Sequence, residues 1–138
     1  MNERDLDVLS RTLYGEASNQ DWSGLIAVAF VIMNRAKRPN RFGQGVIGVC
    51  LRPKQFSCWN DNDPNRIRLM RVTCETPAFV RCIAAAASVL SNSVTDITGG
   101  SDHYHTVQAP ANTGNWPPAW ARQMTRTVTI GDHVFYRE

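Results

Sequence analysis

The sequence lacks a long hydrophobic run. Among its 138 residues, the longest uninterrupted apolar stretch is the nine-residue segment 25–33, whereas a helix needs about 20 apolar residues to span a bilayer. The N-terminus reads Met1-Asn2-Glu3-Arg4-Asp5 and has no apolar core of the kind that marks a signal peptide. We therefore expect no signal peptide, no membrane span, and a protein that starts in the cytoplasm of the cell that makes it.

Several motifs of common enzyme classes are also absent. The chain contains no G-x-S-x-G, no phosphate-binding P-loop and no H-E-x-x-H, which disfavours serine-hydrolase, phosphate and helical zinc-protease chemistry. It has no internal repeat, low-complexity tract or linker either. A chain of this length and composition is expected to be a single domain, residues 1–138.

Cysteine is scarce and regularly spaced. Cys50 and Cys58 are separated by seven residues, as are Cys74 and Cys82, whereas a zinc knuckle uses two to four. Without a signal peptide, reduced thiols are the expected state. We therefore expect free buried thiols, or disulfides that form only after release, with a metal site as the lesser alternative.

The net charge is only +3, but it is unevenly distributed. Residues 35–81 hold ten Lys/Arg against three Asp/Glu, a local net charge of +7. A basic surface of this kind suits a polyanionic partner such as nucleic acid, an anionic membrane or an acidic cell-wall polymer. A solvated arginine-rich face is the alternative, and the charge pattern leaves both open.

A glutamate continues the apolar face of the first predicted helix. Residues 4–17 have leucines at helical spacing, and the next position on that stripe is Glu16. Burial raises the pKa of a carboxyl group, so Glu16 could stay protonated near neutral pH and act as a general acid. The alternative is a side chain that turns to solvent or pairs with Arg35. The leucines of the stripe are Leu6, Leu9 and Leu13.

The second predicted helix covers residues 21–37 and should be buried centrally, because its segment 25–33 is apolar on every side. Ser18 and Asn19 are the candidates to cap it. Residues 40–65, which are interrupted by glycines and prolines, are expected to be loops and short turns.

The second half of the chain predicts one more helix and then a small sheet. Thr76 and Pro77 begin a helix that runs to about residue 90. Gly131-Asp132 is a two-residue hairpin turn. Helices first and an antiparallel sheet last make the fold class α+β. The predicted strands are residues 102–107, 125–130 and 133–136.

Histidines and tryptophans supply two further candidate groups. His103 and His105 would share one face of a strand and could bind zinc together with a carboxylate, or act as hydrogen-bonded structural or substrate-contacting side chains. Trp59, Trp116 and Trp120 lie in segments rich in proline and polar residues. Such aromatic side chains suit stacking on sugar rings or bases, or they anchor the loops to the core.

Five segments, in order, resemble motifs of the SleB-type cell-wall hydrolases, the spore-cortex-lytic enzyme family. The resemblance spans about residues 8–136. Leu13-Tyr14-Gly15-Glu16-Ala17 is similar to the Y-G-E-A signature, and residues 24–35 are similar to G-x-x-A-V-A-x-V-x-x-N-R. The other three segments are residues 53–59 (P-x-Q-F-S-x-W), 98–105 (G-A-x-H-Y/F) and 130–136 (I-G-x-H-x-F-Y).

The resemblance implies a lysozyme-like α+β fold and cleavage of the MurNAc–GlcNAc β-1,4 bond of peptidoglycan. It implies that Glu16 is the general acid. We find no convincing second carboxylate of the kind that two-carboxylate glycosidases use, which favours a lytic transglycosylase over a muramidase-like hydrolase. The residues expected to bind the substrate in the groove are Gln55, Ser57, Trp59, Tyr104, His105 and Trp116.

A chain that has neither a signal peptide nor a separate wall-binding repeat resembles a phage endolysin. Such an enzyme is released at lysis and acts in the periplasm or cell wall. We expect a monomer with no cofactor, no metal and no nucleic-acid partner, and with residues 35–81 contacting an anionic envelope surface. Two alternatives stay open. One is a zinc-dependent wall amidase or peptidase that uses His103 and His105, and the other is a non-enzymatic module that binds cell wall or nucleic acid.

Overall fold

The computed structural model describes residues 2–107 and 117–138. The helices are α1 (Glu3–Ala17), α2 (Trp22–Ala36), α3 (Pro39–Phe42), α4 (Gly45–Leu51), α5 (Asn65–Arg71) and α6 (Pro77–Leu90), with 3₁₀ helices at Ser57–Trp59 and Ala119–Gln123. The strands are β1 (His103–Thr106), β2 (Thr125–Ile130) and β3 (His133–Arg137).

Helix α2 is the central helix, as its all-round apolar surface predicts. Its residues from Leu25 to Ala29 are at most 3% exposed, and α1, α4 and α6 pack around it. The predicted caps Ser18 and Asn19 are wrong. Asp21 caps the helix instead, because it directly precedes the first helical residue and its carboxylate accepts a 3.0 Å hydrogen bond from the Gly24 amide.

The prediction of loops for residues 40–65 is wrong, since short helices α3 and α4 and the first 3₁₀ helix lie there. Glycine content misled the prediction: Gly43 supplies a φ of +128° for the turn between α3 and α4, and a Cβ at Gly43 would lie 2.6 Å from the Gly48 carbonyl oxygen.

Residues 43–48 also match the spacing G-x-G-x-x-G. They follow a helix rather than a strand, so they lack the context of a dinucleotide-binding turn.

The C-terminal sheet is antiparallel with strand order β1-β3-β2. The three predicted strands and the Gly131-Asp132 turn are confirmed, with Gly131 at φ +56°. The middle strand, β3, is buried along residues 133–136. Its Phe135 is fully buried in the main core with the helices, so the sheet packs against the helical part and the α+β class is confirmed.

All four cysteines are free thiols, and all but Cys74 are buried. Burial raises the pKa of Cys50 and Cys58 to about 12 and that of Cys82 to about 11, so these thiols are poor nucleophiles. In the described ranges no helix is both long and apolar enough to cross a bilayer. The single-domain assignment of residues 1–138 stays a prediction.

Candidate active site

Glu16 lies in the last turn of α1, half-buried beside strand β1. Burial raises its pKa, and this effect outweighs a hydrogen bond in which the Tyr104 hydroxyl donates to Oε1 over 3.3 Å. The charge of Arg35 also lowers the pKa, by less, and that of Asp63 raises it. The carboxyl group therefore holds its proton to a higher pH than an exposed glutamate does.

The residue before Glu16 has to be small. A Cβ placed on Gly15 would lie 2.7 Å from Sγ of Cys58 and 3.2 Å from a methyl carbon of Leu69. The glycine therefore lets the first 3₁₀ helix and α5 approach the end of α1. This close approach is a physical reason for the Gly-Glu order in the segment.

Two residues act on the carboxyl group, Tyr104 by a hydrogen bond and Arg35 by its charge. Burial and the nearby Glu16 carboxylate raise the pKa of Tyr104 well above its usual range, so the phenol stays protonated and donates. The Arg35 side chain is buried, donates from Nε to the Asp102 carbonyl at 2.7 Å, and packs over the Phe42 and Phe56 rings. Glu16 is thus held by Tyr104, with Arg35 contributing its charge.

A polar cavity of about 350 Å³ opens beside Glu16. Its wall joins the end of α1 to the β2–β3 hairpin. Gln20 makes that junction, since its Nε2 donates to the Asp132 carboxylate and its Oε1 accepts from the Asp132 amide, both over 3.1 Å. The other lining residues are Asn19, Thr106 and His133.

Apart from Glu16, none of these lining residues was among the predicted site residues. Two of them had an indirect signal in the sequence. Asp132 is part of the predicted Gly131-Asp132 hairpin turn, and His133 lies in a segment that resembles the family. The contact between the hairpin and the end of α1 is made by Gln20, and no pattern in the sequence marks Gln20 as a contact residue.

Trp59 lines a second cavity, of about 440 Å³, with Pro53, Lys54 and Asn60 among its other residues. The indole Nε1 donates to the Thr12 hydroxyl over 2.8 Å. Thr12 lies one helical turn before Glu16 on α1. The ring is therefore fixed relative to the helix that carries the candidate acid.

The other predicted binding residues differ in their surroundings. The Gln55 amide nitrogen donates to the carbonyls of Phe42 and Val49, at 3.1 and 2.8 Å, so the side chain is tied to the backbone of α3 and α4. Ser57 is exposed at the start of the first 3₁₀ helix. Trp116 lies outside the described residues.

The two strand histidines make hydrogen bonds within the protein. His105 pairs through Nε2 with the Tyr136 hydroxyl and through Nδ1 with the Thr106 carbonyl, both at 2.9 Å. His103 bonds Asp102 through Nδ1 at 2.9 Å. In the part of the chain that the structure describes, no group of three or more His, Cys, Asp or Glu side chains is arranged to hold a metal ion.

Two solved structures share this fold. One is the catalytic domain of the germination-specific lytic transglycosylase SleB from Bacillus anthracis, with a TM-score of 0.71 and 22% identity over 99% of this chain and 97% of that domain. The other is the catalytic domain of the Bacillus cereus SleB protein, with a TM-score of 0.70 and 22% identity over 99% of this chain and 91% of that one. The expected lysozyme-like α+β fold is confirmed.

Two curated relatives are spore cortex-lytic enzymes. That of Halalkalibacterium halodurans is 28% identical over 134 residues, which is 97% of this chain and 35% of the relative. That of Bacillus subtilis is 35% identical over 60 residues, which is 44% of this chain and 19% of the relative. The chain therefore spans about a third or less of the length of these relatives.

Residues 19–136 match the family described as Cell Wall Hydrolase. The match begins three residues after Glu16, and it includes the α2 segment and the β2–β3 hairpin. It covers most of the chain, so this chain belongs to the cell wall hydrolase family.

Proposed function

We propose that this chain is a lytic transglycosylase that cleaves the MurNAc–GlcNAc β-1,4 bond of peptidoglycan glycan strands, with Glu16 as its general acid. One observation carries the proposal: a half-buried carboxyl group with a raised pKa lies at the wall of a polar cavity, held by Tyr104. The similarly folded Bacillus anthracis domain belongs to a germination-specific lytic transglycosylase, which supports the same reaction class.

The first step is proton donation. Tyr104 donates to Oε1 of Glu16, so the carboxyl proton resides on the other oxygen and is available to the glycosidic oxygen. The bond from C1 to that oxygen breaks as the proton arrives, and C1 takes on oxocarbenium-like character. The Glu16 carboxylate that remains is stabilised by the Tyr104 hydrogen bond and the charge of Arg35.

The second step returns the proton. The 6-hydroxyl of the same MurNAc attacks C1, its proton passes to the Glu16 carboxylate, and a 1,6-anhydro ring forms. No water is consumed, and Glu16 ends the cycle protonated. This route needs one carboxyl group that serves first as acid and then as base.

The groove residues would bind the glycan on both sides of Glu16. Trp59 offers a ring that can stack on a pyranose, and its hydrogen bond to Thr12 orients that ring. Tyr104 would contact substrate only beside Glu16, since its hydroxyl is already engaged there. Ser57, Gln55, His105 and Trp116 stay predicted binding residues.

We also propose that part of the basic segment contacts an anionic envelope surface. Several of its cations are used internally: Arg35 is buried, and Arg38 and Arg41 pair with Glu138 at 2.8 Å. Helix α5 carries three more, Arg66, Arg68 and Arg71, of which the last two are exposed. The same helix has the exposed apolar residues Ile67 (59%) and Met70 (51%). The endolysin role stays a prediction from the sequence, since both curated relatives are spore cortex-lytic enzymes.

The catalytic test replaces Glu16→Gln, which keeps the shape of the side chain and removes its acid. We expect clearing of permeabilised cells and release of anhydro muropeptides to fall by about 10²–10⁴. Circular dichroism should be unchanged. Glu3→Gln is the matched control, because Glu3 is an exposed glutamate at the other end of the same helix. Retained clearing by the Glu16 variant would refute the assignment.

A further inference from the structure

The cavity beside Glu16 contains a second carboxylate. Asp132, exposed at the tip of the β2–β3 hairpin, and Glu16, from α1, line the same cavity of about 350 Å³. Inverting glycosidases use two carboxyl groups around one site, one as acid and one as the base that activates water. Asp132 occupies the unspecified position of the I-G-x-H-x-F-Y segment, so the family resemblance assigns it no role.

Asp132 is exposed, but two hydrogen bonds restrain its position. Gln20, which is 5% exposed, bonds both the carboxylate and the backbone amide of Asp132. Gly131 lies so close that a Cβ there would be 2.6 Å from Oε1 of Gln20. The hairpin tip is therefore held against the α1–α2 connection, where Asp132 lines the cavity.

A histidine in the same wall is buried. His133 is 4% exposed, and its Nδ1 is enclosed with no hydrogen-bond partner among the described residues. Burial lowers the pKa of His133, which favours the neutral ring with one proton. Enclosed N–H groups without an acceptor are rarer in proteins than enclosed acceptors without a donor, so we assign the proton to Nε2, which could then donate to an oxygen in the cavity.

We propose that Asp132 and His133 bind and activate a water molecule beside Glu16, so that this enzyme also hydrolyses the glycosidic bond. The inference rests on the proposed function. The water oxygen accepts a hydrogen bond from His133 Nε2 and donates to Asp132. Glu16 protonates the leaving oxygen, the C1–oxygen bond breaks, water bonds to C1 and its proton passes to Asp132. The product has a reducing end where transglycosylation would leave an anhydro ring.

The test is digestion of purified peptidoglycan by the full chain in water enriched in heavy oxygen, followed by mass spectrometry. We expect the unaltered chain to form both anhydro products and reducing-end products that carry the label at C1. Asp132→Asn keeps an acceptor for Gln20 and removes the base, so the ratio of reducing-end to anhydro product should fall by about a hundredfold. His133→Phe should lower the same ratio, and His133→Gln, which restores an N–H donor, should recover part of it.

Asp7→Asn is the matched control, because Asp7 pairs with Arg11 on the outer face of α1 and should leave the product ratio unchanged. Exclusively anhydro products from the unaltered chain would overturn this inference and leave the proposed function standing. A ratio that Asp132→Asn does not change would also overturn it. Absence of any glycan cleavage by the unaltered chain would instead overturn the proposed function, and this inference with it.

Discussion

Replacing Gly15→Ala tests how closely the first 3₁₀ helix must approach the end of α1. In the structure the added Cβ would lie 2.7 Å from Sγ and 2.8 Å from Cβ of Cys58. Carbon atoms pack best at about 3.5–4.0 Å, so at least one element has to move by several tenths of an ångström. Cysteine has a short side chain, and its Cβ can move only if the backbone of the 3₁₀ helix moves.

The expected cost is a balance of two terms. Overpacking a tight site destabilises by about 1–3 kcal/mol. Alanine in a helix gains about 0.8–1 kcal/mol over glycine. We expect the overlap to dominate, because two atoms of Cys58 and one of Leu69 are affected. The two ranges leave a net loss of up to about 2 kcal/mol, which corresponds to a fall in Tm of up to about 7 °C for a domain of this size.

Urea unfolding measures this effect directly. The midpoint should fall while the dependence on denaturant stays the same, since the native and unfolded surfaces change little. Gly48→Ala is the matched control: it lies in α4, and a Cβ there would meet its nearest atoms at 3.5–3.9 Å, so it should be neutral or stabilising. A Gly15→Ala chain as stable as the Gly48→Ala chain would refute the packing argument.

Three further predictions concern the acid, metal dependence and the basic surface. Folding raises the Glu16 pKa, so ionisation of this carboxyl group destabilises the folded chain, beginning above the unfolded-state pKa and reaching its full extent above the folded-state pKa. Glu16→Gln should therefore be more stable than the unaltered chain at neutral pH and lose that advantage in acid. Urea titrations that show no such pH dependence would count against the burial argument. Activity should survive EDTA, because the proposed steps use side chains, substrate hydroxyls and water and no metal ion, whereas loss of activity would favour the zinc amidase alternative. The double variant Arg66→Gln, Arg71→Gln should reduce the amount of protein that sediments with cells, most at low salt. The control double variant Arg4→Gln, Arg126→Gln should not. Equal binding by the two double variants would mean that α5 is only a solvated face.

Local patterns predicted much of this protein because they depend on neighbouring residues. The leucine stripe of α1, the all-round apolar α2, the strand segments and the Gly131-Asp132 turn all appear where the local patterns placed them. Helical spacing also placed Glu16 on the apolar face, and the family resemblance implied its role as the acid. The failures were also local: glycines and prolines in residues 40–65 indicated loops, whereas tertiary packing stabilises short helices there.

The sequence by itself determined the fold class and the position of the candidate acid, because spacing along one helix or strand encodes them, and five short segments carried the family resemblance. Only the tertiary structure decided what surrounds that acid. Tyr104 lies 88 residues from Glu16 along the chain, and Gln20 lies 112 residues from Asp132. Contacts across such distances arise from packing of the whole chain, so only the folded structure brings Asp132 and His133 into the cavity that Glu16 lines.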